Sequence, residues 1–204
     1  MGEMRRRVSI IDPEFLLKAY CSGYFPMADG KSGEIGWYSP DPRAIFELDA
    51  LRVPRSLSLA MKKEPFELLV NNQFEEVMRA CAARKETWIS EEIIQSYIEL
   101  HRLGYAHSVE CWKDQKLVGG LYGVAIRGAF FGESMFSLAP DSSKVALAGL
   151  VERLKAWKFE LIDCQVGTGH LQRLGAREIT GAEFSTRLAQ AMAKPSRQGK
   201  WSNS

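Results

Sequence analysis

The sequence predicts an α+β fold, a mixed sheet flanked by helices, with a small irregular unit ahead of it. Three observations predict it. Regular hydrophobic patterning sets in only after about Met61; three apolar stretches in succession then read as antiparallel strands; and capped helical segments stand on both sides of them. The reading divides the chain into residues 1–60 as a small N-terminal domain, 61–194 as the main domain and 195–204 as a tail.

In the first unit Asp12-Pro13-Glu14 is a helix start, with Asp12 as cap and Pro13 at the first helical position. That helix runs through Phe15, Leu16 and Ala19 and stops near Gly23. A loop dense in aromatics follows, from Gly23 to Gly30 and from Trp37 to Arg43, too often broken by Pro and Gly for a long regular element. Its aromatic side chains either lie as a lid over the core or belong to a binding wall.

Phe66–Val70 reads as a strand. Asn72-Gln-Phe-Glu75 has the spacing of a capping box before Phe74, Val77, Met78 and Cys81, and Ser90 caps a second helix that Gly104 ends. The three strands are His107–Trp112, Leu117–Ile126 and Ala129–Leu138, joined by short turns into two hairpins. A helix from about Ser142 presents Leu147, Leu150, Val151 and Leu154 on one face. Phe159–Cys164 is a short strand, and Thr180-Gly-Ala-Glu183 opens a last helix with Phe184, Leu188 and Met192 inward. That order is the one seen in N-acetyltransferase sandwiches.

Composition narrows the function. Hydrophobic residues at 46% and charged residues at 25% exclude a disordered chain, and a formal net charge of +2 permits an RNA partner without demanding one. Local clusters such as Lys62-Lys63 and Arg84-Lys85 can meet phosphate or simply form solvated faces. The four cysteines have no metal-ligand or CxxC spacing, which suits a reducing compartment. With no apolar run long enough for a signal peptide or membrane span, a cytoplasmic location is expected. No metal and no cofactor are expected.

Two stretches carry chemistry. Val118–Val124 and Phe130–Ser137 place four glycines in adjacent strands, which weakens them unless something approaches the backbone closely. Glu133 interrupts the second apolar run, so it needs a cationic or hydrogen-bonding partner if buried; it is either half of a structural ion pair or it faces a ligand. In Leu161-Ile-Asp-Cys-Gln165, period-two alternation sets Asp163 and Gln165 on one side. Asp163 can then accept from the Gln165 amide while the Gln165 carbonyl accepts from an amine, or Asp163 can merely cap the next turn.

Motifs in order along the chain extend the reading. Trp37-x-Ser-Pro-Asp-Pro-Arg43, Thr87-Trp-Ile89, His107-Ser-Val-Glu-x-Trp112, Gly119-Gly-x-Tyr-Gly-Val124, Gly132-Glu-Ser-Met-Phe-Ser137, Leu161–Gln165 and His170-Leu-x-x-Leu-Gly-Ala176 together resemble the leucyl/phenylalanyl-tRNA–protein transferases, over roughly Phe15 to Phe184. The resemblance implies a main domain of N-acetyltransferase (GNAT) fold. It implies transfer of Leu or Phe, and Met more weakly, from aminoacyl-tRNA to proteins with N-terminal Arg or Lys, marking them for degradation. It assigns Asp163 and Gln165 as the catalytic pair and Glu133 as the acidic residue of the acceptor site. Trp88, Leu121, Phe130, Met135 and Ile162 match the walls of the aminoacyl pocket, with Trp37 at its opening and Ser137 among the substrate-binding positions. Lys62, Arg84 and Lys85 are expected to hold RNA phosphates.

Two other functions compete. A CoA-dependent N-acetyltransferase needs a glycine-rich pyrophosphate loop before its main helix, and Ser137-Leu-Ala-Pro-Asp-Ser-Ser-Lys144 contains no glycine. A non-enzymatic adaptor for RNA or basic N-termini can use Glu133 but leaves Asp163 and Gln165 without a purpose.

Overall fold

The computed structural model describes residues 9–50, 66–199 and 201. Lys62, expected at the RNA surface, lies outside the described residues, as does the 60/61 boundary between the two expected domains. Helix α1 (Pro13–Cys21) begins as the sequence requires, with the Asp12 carboxylate accepting the Phe15 N–H at 2.9 Å. The aromatic loop contains a two-stranded ribbon, β1 (Phe25–Ala28) against β2 (Ile35–Tyr38). Short strands between Pro and Gly leave too few residues for periodicity to register.

The main sheet has seven strands. In chain order they are β3 (Arg43–Phe46), β4 (Glu67–Val70), β5 (Ala106–Lys113), β6 (Lys116–Ile126), β7 (Ala129–Ser137), β8 (Leu161–Gln165) and β9 (Ala176–Ile179); in space the order is β4-β5-β6-β7-β8-β3-β9. Every pairing is antiparallel except β7 with β8. Thus β3, which the sequence reading left within the first unit, is an interior strand of the large sheet. It pairs with β8 on one side and β9 on the other.

Helices cover both faces. Helix α1, α2 (Phe74–Ala82), α3 (Glu91–Arg102) and α6 (Gly181–Met192) close a core built on Tyr20, Met78, Ile93, Tyr97, Tyr122 and Phe131. Helix α4 (Ser142–Ala156) covers the opposite face and buries Leu147, Leu150, Val151 and Leu154 against Leu121, Phe130 and Ile162. Short helix α5 (Gly169–Leu174) leads into β9.

The proposed capping box at α2 is a correction. The cap is Gln73, with no side-chain cap bond; its N–H goes to the Glu110 carboxylate at 2.8 Å. Glu110 is fully buried and also accepts from Ser108 Oγ and Trp112 Nε1, so a distant acid on β5 takes the cap N–H that Glu75 was expected to take. Ser90 and Thr180 cap α3 and α6 as expected, accepting from the Ile93 and Glu183 N–H groups. No helix among the described residues is long and apolar enough to cross a membrane.

Because the Thr180 hydroxyl satisfies an otherwise orphan N–H, Thr180→Ala is expected to cost about 1 kcal/mol in urea unfolding, without a change in the denaturant slope.

Candidate active site

The parallel pairing of β7 and β8 runs only from Ala129/Leu161 to Phe131/Asp163. Beyond it β7 continues through Glu133 to Ser137, β8 turns away after Gln165, and a cavity of about 750 Å³ lies between them. That size is within the usual range for small-molecule sites. Its apolar side is made by Leu121, Phe130, Met135, Leu147, Leu150 and Ile162, and its polar end by Glu133 and Gln165; Trp88 and Arg84 stand at the α2–α3 side.

The turn after β8 has a local cause. Register slips between Ala44 and Ile45 so that Ala44 faces Gln165 while Ile45 faces Asp163, and Cys164 is passed over. Gln165 then takes φ +58°, a left-handed conformation that is costly for a long side chain. What holds it is Asp163, whose Oδ1 accepts the Gln165 backbone N–H at 2.9 Å.

Asp163 is itself fixed from the neighbouring strand β3. Arg43 donates through Nε at 2.9 Å and Nη2 at 2.6 Å, one bond to each carboxylate oxygen, and both side chains are almost wholly buried, at 1% and 0% exposed. The guanidinium also donates from Nη1 to the Gly23 carbonyl and packs on the Phe25 and Phe184 rings. All three guanidinium nitrogens donate and both carboxylate oxygens accept, the kind of pairing a buried ion pair requires in order not to destabilise the fold.

Glu133 is in the opposite situation. Its carboxylate accepts from Tyr20 Oη at 2.7 Å, Tyr97 Oη at 3.0 Å and Gln165 Nε2 at 3.0 Å, and no cation among the described residues pairs with it. The two tyrosine oxygens also lie against each other; each hydroxyl has a single hydrogen, so the tyrosines can donate only two of the three contacts in this triangle. Desolvation pushes the Glu133 carboxyl up to about 7; the nearby Asp163 charge adds to the rise, and the three donors oppose it. Burial likewise holds Tyr20 and Tyr97 well above their ordinary range, so they stay neutral donors. Burial also pushes the Cys164 thiol far up, which removes it as a nucleophile at neutral pH.

The structure brings most of the expected positions together. Glu133, Gln165, Trp88, Leu121, Phe130, Met135, Ile162, Ser137 and Arg84 all line the one cavity, and Lys85 is exposed beside Arg84. Asp163 touches Gln165 through the backbone N–H, where a bond to the side-chain amide was expected; the Gln165 amide goes to Glu133 instead, and Gln165 Oε1 meets no donor among the described residues. Trp37 stands outside the cavity wall, edge-on to Phe15 at 5.1 Å; Phe25 and Met27 of the paired strand line the cavity in its place. The close approach that the strand glycines implied is made by the protein's own atoms. A Cβ at Gly119 would meet Ser142 Oγ at 2.1 Å, and one at Gly123 would meet the Phe130 ring at 2.5 Å.

Arg43, Tyr20 and Tyr97 were not assigned roles from sequence. Signals existed: Arg43 closes the Trp37–Arg43 motif, and both tyrosines fall on the apolar faces of their helices, where a hydroxyl needs a polar partner. His107, Cys81 and the other candidate ligands form no group of three that could hold a metal ion among the described residues.

A family model described as leucyl/phenylalanyl-tRNA protein transferase matches residues 45–189, and one for the N-terminal domain of the same proteins matches residues 10–41. The chain belongs to the leucyl/phenylalanyl-tRNA–protein transferase family. A member from Rubrobacter xylanophilus is 55% identical over 89% of this chain and 95% of its own length; one from Gloeobacter violaceus is 52% identical over 91% and 96%. A Nitrosomonas europaea member is 50% identical over 94% of this chain and 82% of its own. Among solved structures, a conserved protein of unknown function from Staphylococcus epidermidis gives a TM-score of 0.46 at 12% identity, spanning 83% of this chain and 65% of that one, too distant to add to the assignment. Of the family's members as matched here, Arg43 falls between the two segments, so neither segment alone contains the complete ion pair.

Two outcomes test this geometry. Arg43→Ala leaves a buried carboxylate without its partner and is expected to cost about 3–5 kcal/mol in chemical denaturation. For Glu133 the sign follows from its raised value: the native state keeps a proton that the unfolded chain releases, so stability falls as pH rises from about 4.5 to about 7. Glu133→Gln lacks that loss. Its melting temperature should match wild type near pH 4 and exceed it by roughly 6–12 °C at pH 8, from a penalty on the order of 3 kcal/mol.

Proposed function

We propose that the cavity between β7 and β8 takes the Leu or Phe side chain of an aminoacyl-tRNA, and that the chain transfers this residue to the α-amino group of proteins beginning with Arg or Lys. One observation carries the reading. Among the described residues an apolar slot ends at an amide carbonyl with no donor, Gln165 Oε1, beside a buried carboxylate, Glu133, that has hydrogen-bond donors but no cation. A slot of that kind suits an apolar donor residue next to a positively charged acceptor.

The chemistry asks little of a base. The donor is an ester, already activated, and an α-amino group titrates near 7.7–8, so freeing the amine at neutral pH costs about 1.4 kcal/mol. The amine nitrogen attacks the ester carbonyl, the new amide bond forms, the bond to the tRNA 3′-oxygen breaks, and the amine's proton ends on that leaving oxygen. Aligning amine and ester carbonyl is worth about 7–11 kcal/mol in favourable cases, and Gln165 Oε1, by accepting from the amine, supplies one part of that alignment. Asp163 does not take the proton: both its oxygens are occupied by Arg43, and one also by the Gln165 N–H. In this reading Asp163 holds the Gln165 backbone, and Arg43 holds Asp163.

Glu133 supplies the negative charge that meets the cationic acceptor. A bound cation lowers the carboxyl's raised value, so acceptor binding strengthens as pH climbs through about 7. Arg84 bonds the Met135 carbonyl and Ser134 at the cavity mouth, and Lys85 projects beside it; both are proposed to meet phosphates at the end of the tRNA. The reading also takes the main domain as N-acetyltransferase-like, supported by the site's location where parallel strands part. A cytoplasmic location and the degradation of the modified proteins complete it.

The test is a single-turnover reaction of Phe-charged tRNA with a peptide starting with Arg, scored by peptide mass. A mass gain of one Phe residue is expected, and its absence would overturn the reading; acetyl-CoA consumption instead would favour an acetyltransferase. Gln165→Ala should lower the rate at least about a hundredfold with tRNA binding unchanged. Lys85→Ala should weaken tRNA binding equally across isoacceptors and make the salt dependence shallower, by roughly 0.7–0.9 in the logarithmic slope.

A further inference from the structure

The segment after α6 lies beyond both family-model matches, yet it returns to the site from behind. The Gly199 N–H donates to the Gly104 carbonyl at 3.1 Å, Gln198 Nε2 to the Leu103 carbonyl at 3.0 Å, and the Arg197 guanidinium lies over the Trp157 ring at 4.2 Å. These contacts deliver Trp201 into the core under α4, where it is only 5% exposed. Its ring stacks on His107 at 4.1 Å and 8°, and meets Trp157, Phe159 and Phe130 at 4.9, 6.4 and 5.9 Å.

Phe130 is the link to the cavity. It lines the apolar slot with Leu121, Leu147, Leu150 and Ile162, and it has little freedom to move. On one side the bare backbone of Gly123 lies against its ring; on another stands Trp201. Trp201 does not itself line the cavity. Its Nε1 is buried without a hydrogen-bond partner among the described residues, as is His107 Nε2, so the indole is held by packing alone. Burying an unpaired N–H is unfavourable, and a Phe at this place would avoid that cost, which leaves the size of the indole as the property that matters.

We infer that Trp201 is a positioning residue that sets the depth of the donor side-chain pocket by holding Phe130 in place. The inference rests on the aminoacyl-transfer reading above. Without the indole, Phe130 relaxes toward the vacated space and the slot deepens. Bulkier donor residues then gain and Leu loses contact.

The experiment compares wild type, Trp201→Phe and Trp201→Ala in transfer from tRNAs charged with Leu, Phe or Trp to a peptide beginning with Arg. The readout is the ratio of kcat/KM for the Trp donor over the Leu donor, which loss of folded protein alone leaves unmoved. Trp201→Ala is expected to raise that ratio roughly tenfold, with Trp201→Phe between it and wild type. If Trp201→Ala does not fold, Trp201→Phe, which removes the unpaired N–H and should melt close to wild type, decides by the same ratio. Ratios within about twofold of wild type in the folded variants overturn the role of Trp201 alone. A wild type that transfers neither Leu nor Phe overturns both readings.

Discussion

The site depends on a buried ion pair. Arg43 and Asp163 lie on adjacent strands of the same sheet, and their two hydrogen bonds join β3 to β8 at the residue where β8 stops being regular. A carboxylate with one face taken by a guanidinium still has a lone pair for a backbone N–H, and that N–H belongs to Gln165. The strained left-handed turn at Gln165 is therefore held by a charge two residues earlier, which is in turn held by an arginine from the start of the chain. Buried ion pairs contribute little net stability when complete, but they specify one arrangement over its alternatives; here that arrangement is the aim of a single amide.

The neighbouring acid has the opposite environment, and the contrast organises the chemistry. Asp163 has a permanent counter-charge, while Glu133 has only neutral donors from two tyrosines and a glutamine. Two carboxylates close together thus sit in environments that push their protonation apart. In the proposed function a cationic acceptor would relieve the unfavourable state of Glu133, exchanging stability for recognition at one position.

Much of the fold was legible in the sequence because its elements are long and strongly patterned. The β5-β6-β7 meander and α4 came out within a few residues, since long apolar runs set off by short turns and a four-residue apolar stripe leave little ambiguity. What was missed was short or non-local. The β1–β2 ribbon, β3, α5 and β9 each hold too few residues for a period to show, and the cap of α2 comes from Glu110, more than thirty positions away. At the site, the resemblance supplied the residues that line the cavity, and alternation brought Asp163 and Gln165 together. Neither could reveal that the bond between them is made by backbone. A register slip at Cys164 is set by pairing with β3, and the sequence of β8 alone carries no trace of it. Arg43 stayed hidden for the same reason: a buried arginine is recognisable only once its acid is known.

The interior position of β3 has a consequence for inheritance. Tyr20, Phe25 and Met27 come from the stretch matched as the N-terminal domain, Arg43 from the join, and Asp163, Gln165 and Glu133 from the stretch matched as the transferase proper. A recombination event that cuts at the join keeps two recognisable pieces and divides one hydrogen-bonded cluster between them. The pieces are modules in the alignment of sequences but not in the physics of the folded chain, so descent is expected to have carried them as one.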